Sequence, residues 1–367
     1  MDLSNLEKVL EKEPEYRSKQ AKEAVFKDFI SDWQEATFLP KDLRRNLNEQ
    51  CGLSIKAEML VSKTKDSVKA RIILKDGLKV ETVLMMHNDG RNTVCVSSQV
   101  GCPLGCLFCA TGKMGFKRNL DFSEIIEQVI FFERYLKSEA NRHPMSIKPL
   151  DRHRVSNVTF MGMGEPFLNY DNVMKAVRIL NDKNGMNIGA RSISISTVGI
   201  VEGIKRFSNG FQVHPRTKRG GNDNRNKNER EPRYGVGVNL AISLHAPNNK
   251  LRSSLMPMNE KYPVEIILKE VDKYIRKTKR KVMFEYVLIK GVNDSDDLAK
   301  ELAALMKKPL YFLNLILYNP IGNFKPSETK RVDGFKKILK KMNVNFSQRY
   351  RFGRDIKAAC GQFSTSK

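Results

Sequence analysis

Three cysteines lie within eight residues of this chain, in the stretch GCPLGCLFCATG at residues 101–112. They are Cys102, Cys106 and Cys109, half of the six cysteines in 367 residues. Thiolates are the usual ligands of iron–sulfur clusters, and a tight loop with this spacing can hold three corners of a cubane [4Fe–4S] cluster. The fourth iron would then be open to a chelating ligand.

The open iron indicates what that ligand could be. The amino and carboxylate groups of S-adenosylmethionine would fill it, and one-electron transfer to the sulfonium would release a 5′-deoxyadenosyl radical. Zinc is the main competing metal, but structural zinc sites are closed by a fourth Cys or His at short spacing. The nearest histidines, His87 and His143, match no such pattern. Three unligated cysteines that merely share a loop are the remaining alternative.

Composition limits the class of protein and its partners. The formal net charge is +24, which favours a polyanionic partner such as nucleic acid over a merely solvated basic surface. The first twenty residues are polar, and no run of 18 apolar residues occurs, so neither a signal peptide nor a membrane span is expected. We therefore expect a soluble, cytoplasmic protein whose thiols stay reduced.

The chain divides into three parts. Residues 1–53 have apolar residues at three- and four-residue spacing and predict a small helical module. Residues 54–91 alternate between apolar and polar residues around a KDG turn, which predicts a β-rich connector of short antiparallel strands. Residues 92–367 alternate short apolar strands with amphipathic helices, which is typical of a parallel α/β sheet or barrel.

Six strands are predicted in the third part, and they favour a partial (β/α)6 barrel over a complete eight-stranded one. The strands are TVCVSS, VSNVTFMG, RSISISTV, GVNLAISLHA, KVMFEYVLI and YFLNLILYN. The clearest helix, SEIIEQVIFFERYLK, aligns four apolar residues on one face: Ile125, Val129, Phe132 and Leu136. The cysteine loop and the other polar or glycine-rich motifs follow the ends of these strands. Ligands of such folds bind at the carboxyl ends of the strands, so one composite active site is expected.

Residues 209–234 interrupt this alternation. The segment is rich in Asn, Arg and Gly and lacks apolar periodicity, which predicts a flexible insertion. It could contact RNA, or it could be a solvated loop with no specific role.

The motifs together resemble one family, the radical S-adenosylmethionine RNA methyltransferases of the RlmN/Cfr type, over nearly the whole chain. The resemblance rests on VETVLMMHNDGRNTVCVSSQVGCPLGCLFCATG, VTFMGMGEPFLN, ISISTVGIV, AISLHAPNNKLRSSLMPMN, FEYVLIKGVND, YNPIG and DIKAACGQF. It implies that the N-terminal helices bind RNA and that two S-adenosylmethionine molecules are used per turnover.

The resemblance also implies roles for two further cysteines and a glutamate. Cys360 corresponds to the cysteine methylated by a first S-adenosylmethionine, and Cys95 to the second catalytic cysteine. After a radical forms on the Cys360 methyl and adds to adenine, Cys95 would attack the Cys360 sulfur and release the product with a disulfide. Glu81 corresponds to the proton acceptor, although a glutamate in a strand is more often solvent-facing. Cys51, outside every motif, is expected to be structural.

Contacts to S-adenosylmethionine are implied in the same way, at successive strand ends. They are assigned to Gly164, Glu165, Ser196, Ser243, Leu244, His245 and Asn319. Taken singly, each could be a turn or a polar cap of a strand. Arg354 and Lys357 could favour a Cys360 thiolate if they lie close in space.

The implied substrates are an adenosine of 23S rRNA and, in addition, one of tRNA beside the anticodon. GMGEPFLN and SLHAP resemble the C2-methylating enzymes, whereas the Phe-Gly pair of RFGRDI is more like the C8-methylating ones. An electron donor such as flavodoxin or ferredoxin and a monomeric state are expected. An iron–sulfur RNA-binding protein without turnover is the alternative from another class.

Overall fold

The structure is a computed structural model, and it describes residue 3 and residues 5–142, 153–210 and 237–364. The predicted insertion at 209–234 lies outside these residues, apart from 209 and 210, which end a helix and its cap.

Helices and strands follow the order expected for an α/β chain. Within the described residues the α-helices are α1 Leu6–Leu10, α2 Glu15–Phe26, α3 Lys41–Gln50, α4 Ala110–Lys113, α5 Phe122–Arg142, α6 Tyr170–Asn181, α7 Val201–Asn209, α8 Asn249–Leu255, α9 Val264–Thr278, α10 Asp296–Met306 and α11 Thr329–Lys341. The strands are β1 Lys56–Val61, β2 Ser67–Ile73, β3 Lys79–Met86, β4 Asn92–Cys95, β5 Gln99–Gly101, β6 Phe116–Asn119, β7 Asn157–Phe160, β8 Ile193–Thr197, β9 Asn239–Ser243, β10 Val282–Leu288, β11 Tyr311–Leu317 and β12 Phe346–Gln348.

The main sheet is parallel through most of its width. Its strand order is β1-β2-β3-β4-β7-β8-β9-β10-β11-β12, and every pair from β4 to β12 is parallel. Strands β4 and β7 to β11 are the six predicted ones, so the predicted α/β fold with a partial barrel is confirmed. The short strand β12, which lies beside β11, was not predicted.

The antiparallel strands β1 to β3 continue this sheet instead of standing apart from it. Strand β3 pairs with β4, with Val83 opposite Cys95. The chain 54–91, predicted as a connector, is thus bonded directly to the barrel edge. Because β3 is covered on both faces, its side chains from Val80 to Met85 are all buried.

Helix α5 shows how apolar periodicity places a helix against the sheet. Its predicted apolar face is confirmed, since Ile125, Val129, Phe132 and Leu136 are all buried. None of the helices in the described parts of the chain is both long and apolar enough to cross a bilayer.

The apolar residues of the N-terminal helices are part of the same core as those of the barrel. Trp33 is fully buried there, and its indole Nε1 donates a hydrogen bond to the carbonyl oxygen of Cys51 at 2.8 Å. Cys51 is itself fully buried, which fits the structural role expected of it. Helix α3 begins directly after Pro40, a residue that is compatible with a helix start because its ring fixes φ near the helical value.

One arginine of α5 holds these helices to the barrel. The Arg134 guanidinium donates to the carbonyl oxygens of Phe29 at 3.1 Å and Leu53 at 2.9 Å, and also to that of Ile30. Burial lowers the pKa of Arg134 to about 10, so it remains charged at neutral pH. One side chain therefore satisfies three carbonyl groups where the helical module meets α5.

We predict that Arg134→Ala loosens this junction. Three carbonyl groups lose a charged donor, so the free energy of opening the N-terminal helices should fall by about 2–3 kcal/mol. Lys137→Ala is the matched control, because the exposed Lys137 donates only to the carbonyl of Asp28. Native-state hydrogen exchange of α2 and α3 measures both changes. Equal protection in the two variants would contradict the role given to Arg134.

Candidate active site

Several loops meet at one edge of the parallel sheet. The GMGEP loop follows β7, and β8 and β9 end at Thr197 and Ser243. The cysteine loop comes after β4 and follows β5, which pairs with β6 in a separate two-stranded sheet. Asn319 follows the end of β11 by two residues. Because parallel strands end at the same edge, this topology brings the predicted cofactor-binding residues together.

Two glycines allow the cysteine loop to fold tightly. Gly101 ends β5 with φ +78°, and a Cβ there would lie 1.9 Å from the carbonyl oxygen of Gly115. The amide of Cys102 donates to that same oxygen at 2.9 Å. A Cβ on Gly112 would lie 2.9 Å from the amide nitrogen of Cys106. Both positions require glycine, so the loop backbone is specified close to the thiols.

The three thiols lie close enough to influence one another's charge. Burial raises the pKa of Cys102 to about 12. Burial is also the largest cause of the raised pKa of Cys106, and the charges of Cys109 and Cys102 raise it further. Thiolates here therefore need a cationic partner such as a metal cluster. Within the described residues, no three Cys, His, Asp or Glu side chains converge as ligands of a single ion would.

Glu165 of the GMGEP loop is deeply buried. Its Oε1 accepts from the amide of Phe167 at 3.0 Å, and its Oε2 accepts from the amide of Val198 at 2.8 Å. Burial nevertheless raises its pKa to about 7. A carboxyl in this state is stabilised as an anion by an added cation, which fits the ammonium group of a methionine. Gly164 has φ +98°, and any side chain there would overlap Gln99.

Two strands bring a pair of serines together across the barrel interior. The hydroxyl oxygens of Ser196 on β8 and Ser243 on β9 lie 3.4 Å apart. The next residues, Leu244 and His245, are also buried. His245 has φ +59°, and its Nδ1 accepts from the amide of Val287 at 3.1 Å. Burial and the nearby Arg252 lower its pKa to about 3, so the ring is neutral and carries its proton on Nε2.

Arg252 holds the backbone of Ser243 and Leu244 in place through hydrogen bonds, a role that sequence reasoning missed. It is 1% exposed, and its guanidinium donates to the carbonyl oxygens of Leu244 and Ser243, each at 3.1 Å. It also donates to Asn259 Oδ1 at 2.9 Å. The available signal was its position three residues before the buried Leu255 of α8, where an apolar residue would be expected.

Sequence reasoning also missed Glu285 on β10. The hydrogen bonding of its buried carboxylate indicates whether a polar cofactor fits the site. It is 3% exposed, and its Oε2 accepts from Asn314 at 2.8 Å. No hydrogen-bond partner for Oε1 is found among the described residues. Glu285 pairs in register with Ser243, so this buried oxygen lies at the level of the predicted cofactor contacts. A buried acceptor of this kind favours a bound donor group, which S-adenosylmethionine possesses.

The C-terminal segment returns to the cysteine loop and brings Cys360 with it. Asn319 Nδ2 donates to the carbonyl oxygen of Cys360 at 3.2 Å. The amide of Ala110, one residue after Cys109, donates to the carbonyl oxygen of Gly361 at 2.8 Å. Thr111 Oγ1 donates to that of Phe363 at 2.8 Å. Hydrogen bonds thus connect a residue 250 positions away in the chain to the predicted cluster loop.

Cys95 and Cys360 line one pocket, together with Met85, Asn319 and Arg349. Both cysteines are free thiols, and Cys95 is 4% exposed whereas Cys360 is partly exposed. Burial, and next the charge of Cys360, raise the pKa of Cys95 to about 12. The structure therefore brings together the two cysteines that lie 265 positions apart in the sequence.

Relatives with this arrangement identify the family. A protein from Dictyoglomus thermophilum, named "Probable dual-specificity RNA methyltransferase RlmN", is 41% identical over 352 residues, covering 95% of this chain and 90% of its own. One of the same name from Streptococcus mutans is 39% identical, covering 96% and 90%. No family model matches the sequence. The chain belongs to the RlmN family of radical S-adenosylmethionine methyltransferases.

A solved structure agrees with the family assignment. The crystal structure of a radical S-adenosylmethionine methyltransferase from Sphaerobacter thermophilus superposes with a TM-score of 0.84 at 40% identity, covering 99% of this chain and 97% of the other. The predicted family, barrel fold and enzyme class, an RNA methyltransferase, are confirmed. Membership implies the use of S-adenosylmethionine and an iron–sulfur cluster.

Arg349 is the cation beside the two pocket cysteines in this RlmN-family chain. Its pKa is raised chiefly by the charge of Cys360 and further by Glu285 and Cys95. Its Nη1 contacts the sulfur of Met161 at 3.2 Å, which fixes the guanidinium. Arg354 and Lys357, the cations expected to favour a thiolate, have exposed side chains instead. Arg349 lines the pocket with Cys360, whereas Arg354 and Lys357 are not among its lining residues.

Glu81 lies next to the pocket and not in its lining. Its Oε1 is 2.8 Å from Lys69 Nζ, and its Oε2 accepts from the amide of Ser364 at 2.9 Å. The side chain is fully buried, unlike a solvent-facing strand glutamate. It shares a strand face with Met85, which does line the pocket, because the two are four residues apart.

We predict that Arg349→Gln slows the reaction of Cys95 with iodoacetamide by about tenfold, because the charge of Arg349 lowers the otherwise raised pKa of this buried thiol. Arg351→Gln is the matched control, since Arg351 lines the same pocket but is not among the charges that act on Cys95. Peptide mass spectrometry measures the rate at Cys95. Unchanged alkylation in Arg349→Gln, or equal slowing in both variants, would contradict this assignment.

Proposed function

We propose that this enzyme methylates C2 of adenosine in RNA through a methyl group carried on Cys360. The observation that carries the proposal is the shared pocket of Cys360 and Cys95, joined by hydrogen bonds to the cysteine loop. Adenine C2 bears an unactivated hydrogen and lacks a nucleophilic electron pair, so ordinary polar methyl transfer is disfavoured. A radical route with a covalent carrier avoids that difficulty.

The proposed cofactors are a [4Fe–4S] cluster held by Cys102, Cys106 and Cys109, and two molecules of S-adenosylmethionine per turnover. When bound, they supply a methyl group and a 5′-deoxyadenosyl radical. Glu165, together with the backbone at Gly164, would hold the methionine ammonium. The remaining contacts are assigned to the strand-end residues Ser196, Ser243, Leu244, His245 and Asn319.

The chain's own groups divide the later chemistry between them. Cys360 accepts the methyl group and afterwards carries the covalent bond to the adenine. Glu81, which forms an ion pair with Lys69, accepts the ring proton, and the unpaired electron of the adduct would return to the cluster. Cys95 then attacks the Cys360 sulfur, so that an S–S bond forms as the S–C bond breaks. The released carbon keeps the electron pair of that bond, takes the proton of the Cys95 thiol and stays on the base as the methyl group. The raised pKa of Cys95 keeps it a neutral thiol until that step.

The proposed substrates are 23S rRNA and tRNA, because the relatives are named dual-specificity RNA methyltransferases and the chain carries a net charge of +24. The GMGEPFLN and SLHAP motifs support C2 as the target. The Phe352-Gly353 pair supports the alternative, C8 methylation. We also propose a cytoplasmic monomer with an N-terminal RNA-binding module of residues 1–53, reduced by a flavodoxin or ferredoxin.

The cluster assignment predicts that Ala at Cys102, Cys106 or Cys109 removes most of the brown chromophore, because a cubane loses a corner ligand. Formation of 5′-deoxyadenosine from S-adenosylmethionine should stop in each variant. Cys51→Ala is the matched control, since Cys51 is a buried cysteine outside the site. Iron analysis after anaerobic reconstitution measures the effect. Full iron and activity in all three variants would refute the assignment.

The two pocket cysteines should fail in opposite ways. Cys360→Ala cannot carry the methyl group and should form no RNA adduct. Cys95→Ala should add to the adenine but lack the thiol that releases it, so the protein should stay attached to RNA. A denaturing gel then shows a slow-migrating, ribonuclease-sensitive species only for Cys95→Ala.

Product analysis completes this test. Wild-type enzyme should yield 2-methyladenosine by nucleoside chromatography and mass spectrometry, and 8-methyladenosine would establish the alternative. Equal product from wild type and Cys95→Ala, with no trapped complex, would refute the shared role of the cysteines. If the reconstituted protein binds RNA but never cleaves S-adenosylmethionine, the result would support the alternative of an iron–sulfur RNA-binding protein without turnover.

A further inference from the structure

Tyr350 stands at the meeting point of three depressions in the surface. It lines the Cys95–Cys360 pocket, a neighbouring side pocket of about 590 Å³ and a wide groove of about 1670 Å³. Its side chain is 67% exposed, the largest exposed fraction among the large apolar side chains of the described residues. No step of the proposed methyl transfer uses this aromatic ring.

Two further rings support Tyr350 from behind. The centroids of Tyr350 and Phe352 are 4.8 Å apart with planes at 72°, and those of Phe352 and His87 are 4.8 Å apart at 68°. Edge-to-face packing of this kind is the favoured geometry of aromatic pairs. Phe352 and His87 are partly buried, so they leave Tyr350 as the outermost ring.

Backbone hydrogen bonds hold the loop that carries these rings. The amide of Arg349 donates to the carbonyl oxygen of Leu315 at 2.8 Å, directly before Tyr350. After Phe352, the amide of Ala358 donates to the carbonyl oxygen of Gly353 at 2.9 Å. The amide of Lys63 also donates to Asp355 Oδ2 at 2.8 Å. Tyr350 is therefore presented on a braced loop, so little ordering is needed on binding.

The two depressions outside the active pocket differ in chemistry. The wide groove is lined by Lys63, Arg351 and Arg354, which suit phosphates. The side pocket is walled by Asn88 and Asp89. Asp89 Oδ2 already accepts from Arg91 Nε at 2.9 Å, so Asn88 is the residue whose amide suits a base edge.

The groove's acidic residues already have donors. Asp355 accepts from Lys63, while Asp66, which lines both depressions, accepts from Ser62 and Ser67. These donors are neutral, but Lys63, Arg351 and Arg354 outnumber the two carboxylates, so the groove remains favourable for a polyanion.

We propose that Tyr350 is a stacking platform for an unpaired nucleobase next to the methylated adenosine, with the RNA backbone in the wide groove. The inference rests on the proposed RNA substrate. Every base has a π face, so such a platform binds single-stranded RNA without reading its sequence. The target base enters the Cys95–Cys360 pocket, and its neighbour covers the ring at the pocket edge.

The experiment uses reconstituted holoenzyme and single-stranded RNA of about ten nucleotides, a length typical of such sites. Two oligonucleotides carry 2-aminopurine immediately before or after the target adenosine, and binding is followed by anisotropy at fixed salt. Wild type should quench the fluorescence of one of them. Tyr350→Ala should bind about 10- to 100-fold more weakly and lose the quenching, whereas Tyr350→Phe should keep both.

Ile266→Ala is the matched control, because Ile266 is an exposed apolar residue on the outer helix α9. Wild-type affinity and quenching in Tyr350→Ala would overturn the platform. Equal losses in Tyr350→Ala and Ile266→Ala would overturn it as well.

Binding does not need turnover, so the two proposals fail separately. Wild-type enzyme that binds and quenches but never methylates would refute the proposed function alone. Methylation by wild type, without quenching at either position, would refute the platform alone.

Discussion

The return of the C-terminal segment to the barrel edge is the constraint on which the candidate active site depends. Four hydrogen bonds hold residues 360–364 to Asn319, to the first turn of α4 and to Glu81. Without them, Cys360 would have no fixed relation to Cys95 or to the cysteine loop. The amide of Ala110 and the hydroxyl of Thr111 that bind this segment directly follow Cys109, so the loop that would hold a cluster also positions Cys360.

The distribution of buried charge follows from the same constraint. Burial keeps the thiols of Cys95 and Cys102 neutral, each with a pKa of about 12. Glu81 forms an ion pair with Lys69, and the charges of Cys360 and Glu285 raise the pKa of the nearby Arg349. Glu165 accepts hydrogen bonds from two backbone amides. Under the proposed function, the ammonium group of S-adenosylmethionine would add a cation beside this carboxyl.

Much of the fold could be predicted from the sequence. The six parallel strands and the buried face of α5 were predictable because period-2 and period-3.6 apolar patterns are local properties. Strand β12 was missed because FSQ is three residues long and lacks an apolar run. The pairing of β3 with β4 was missed too, since nothing in a local pattern states which strand edges will meet.

The sequence by itself determined the chemistry available: three thiols in one loop, two more in separate motifs, and a strongly basic chain. These follow from residue type and spacing, and the family resemblance followed from the motifs. Only the tertiary structure decided which groups act on which. It placed Arg349 at the pocket cysteines instead of Arg354 or Lys357, and it put Arg252 and Glu285 inside the barrel. The reason is physical: two groups form an ion pair or a hydrogen bond only when they are close in space. For residues that the sheet brings together from distant parts of the chain, the order of residues does not give that distance.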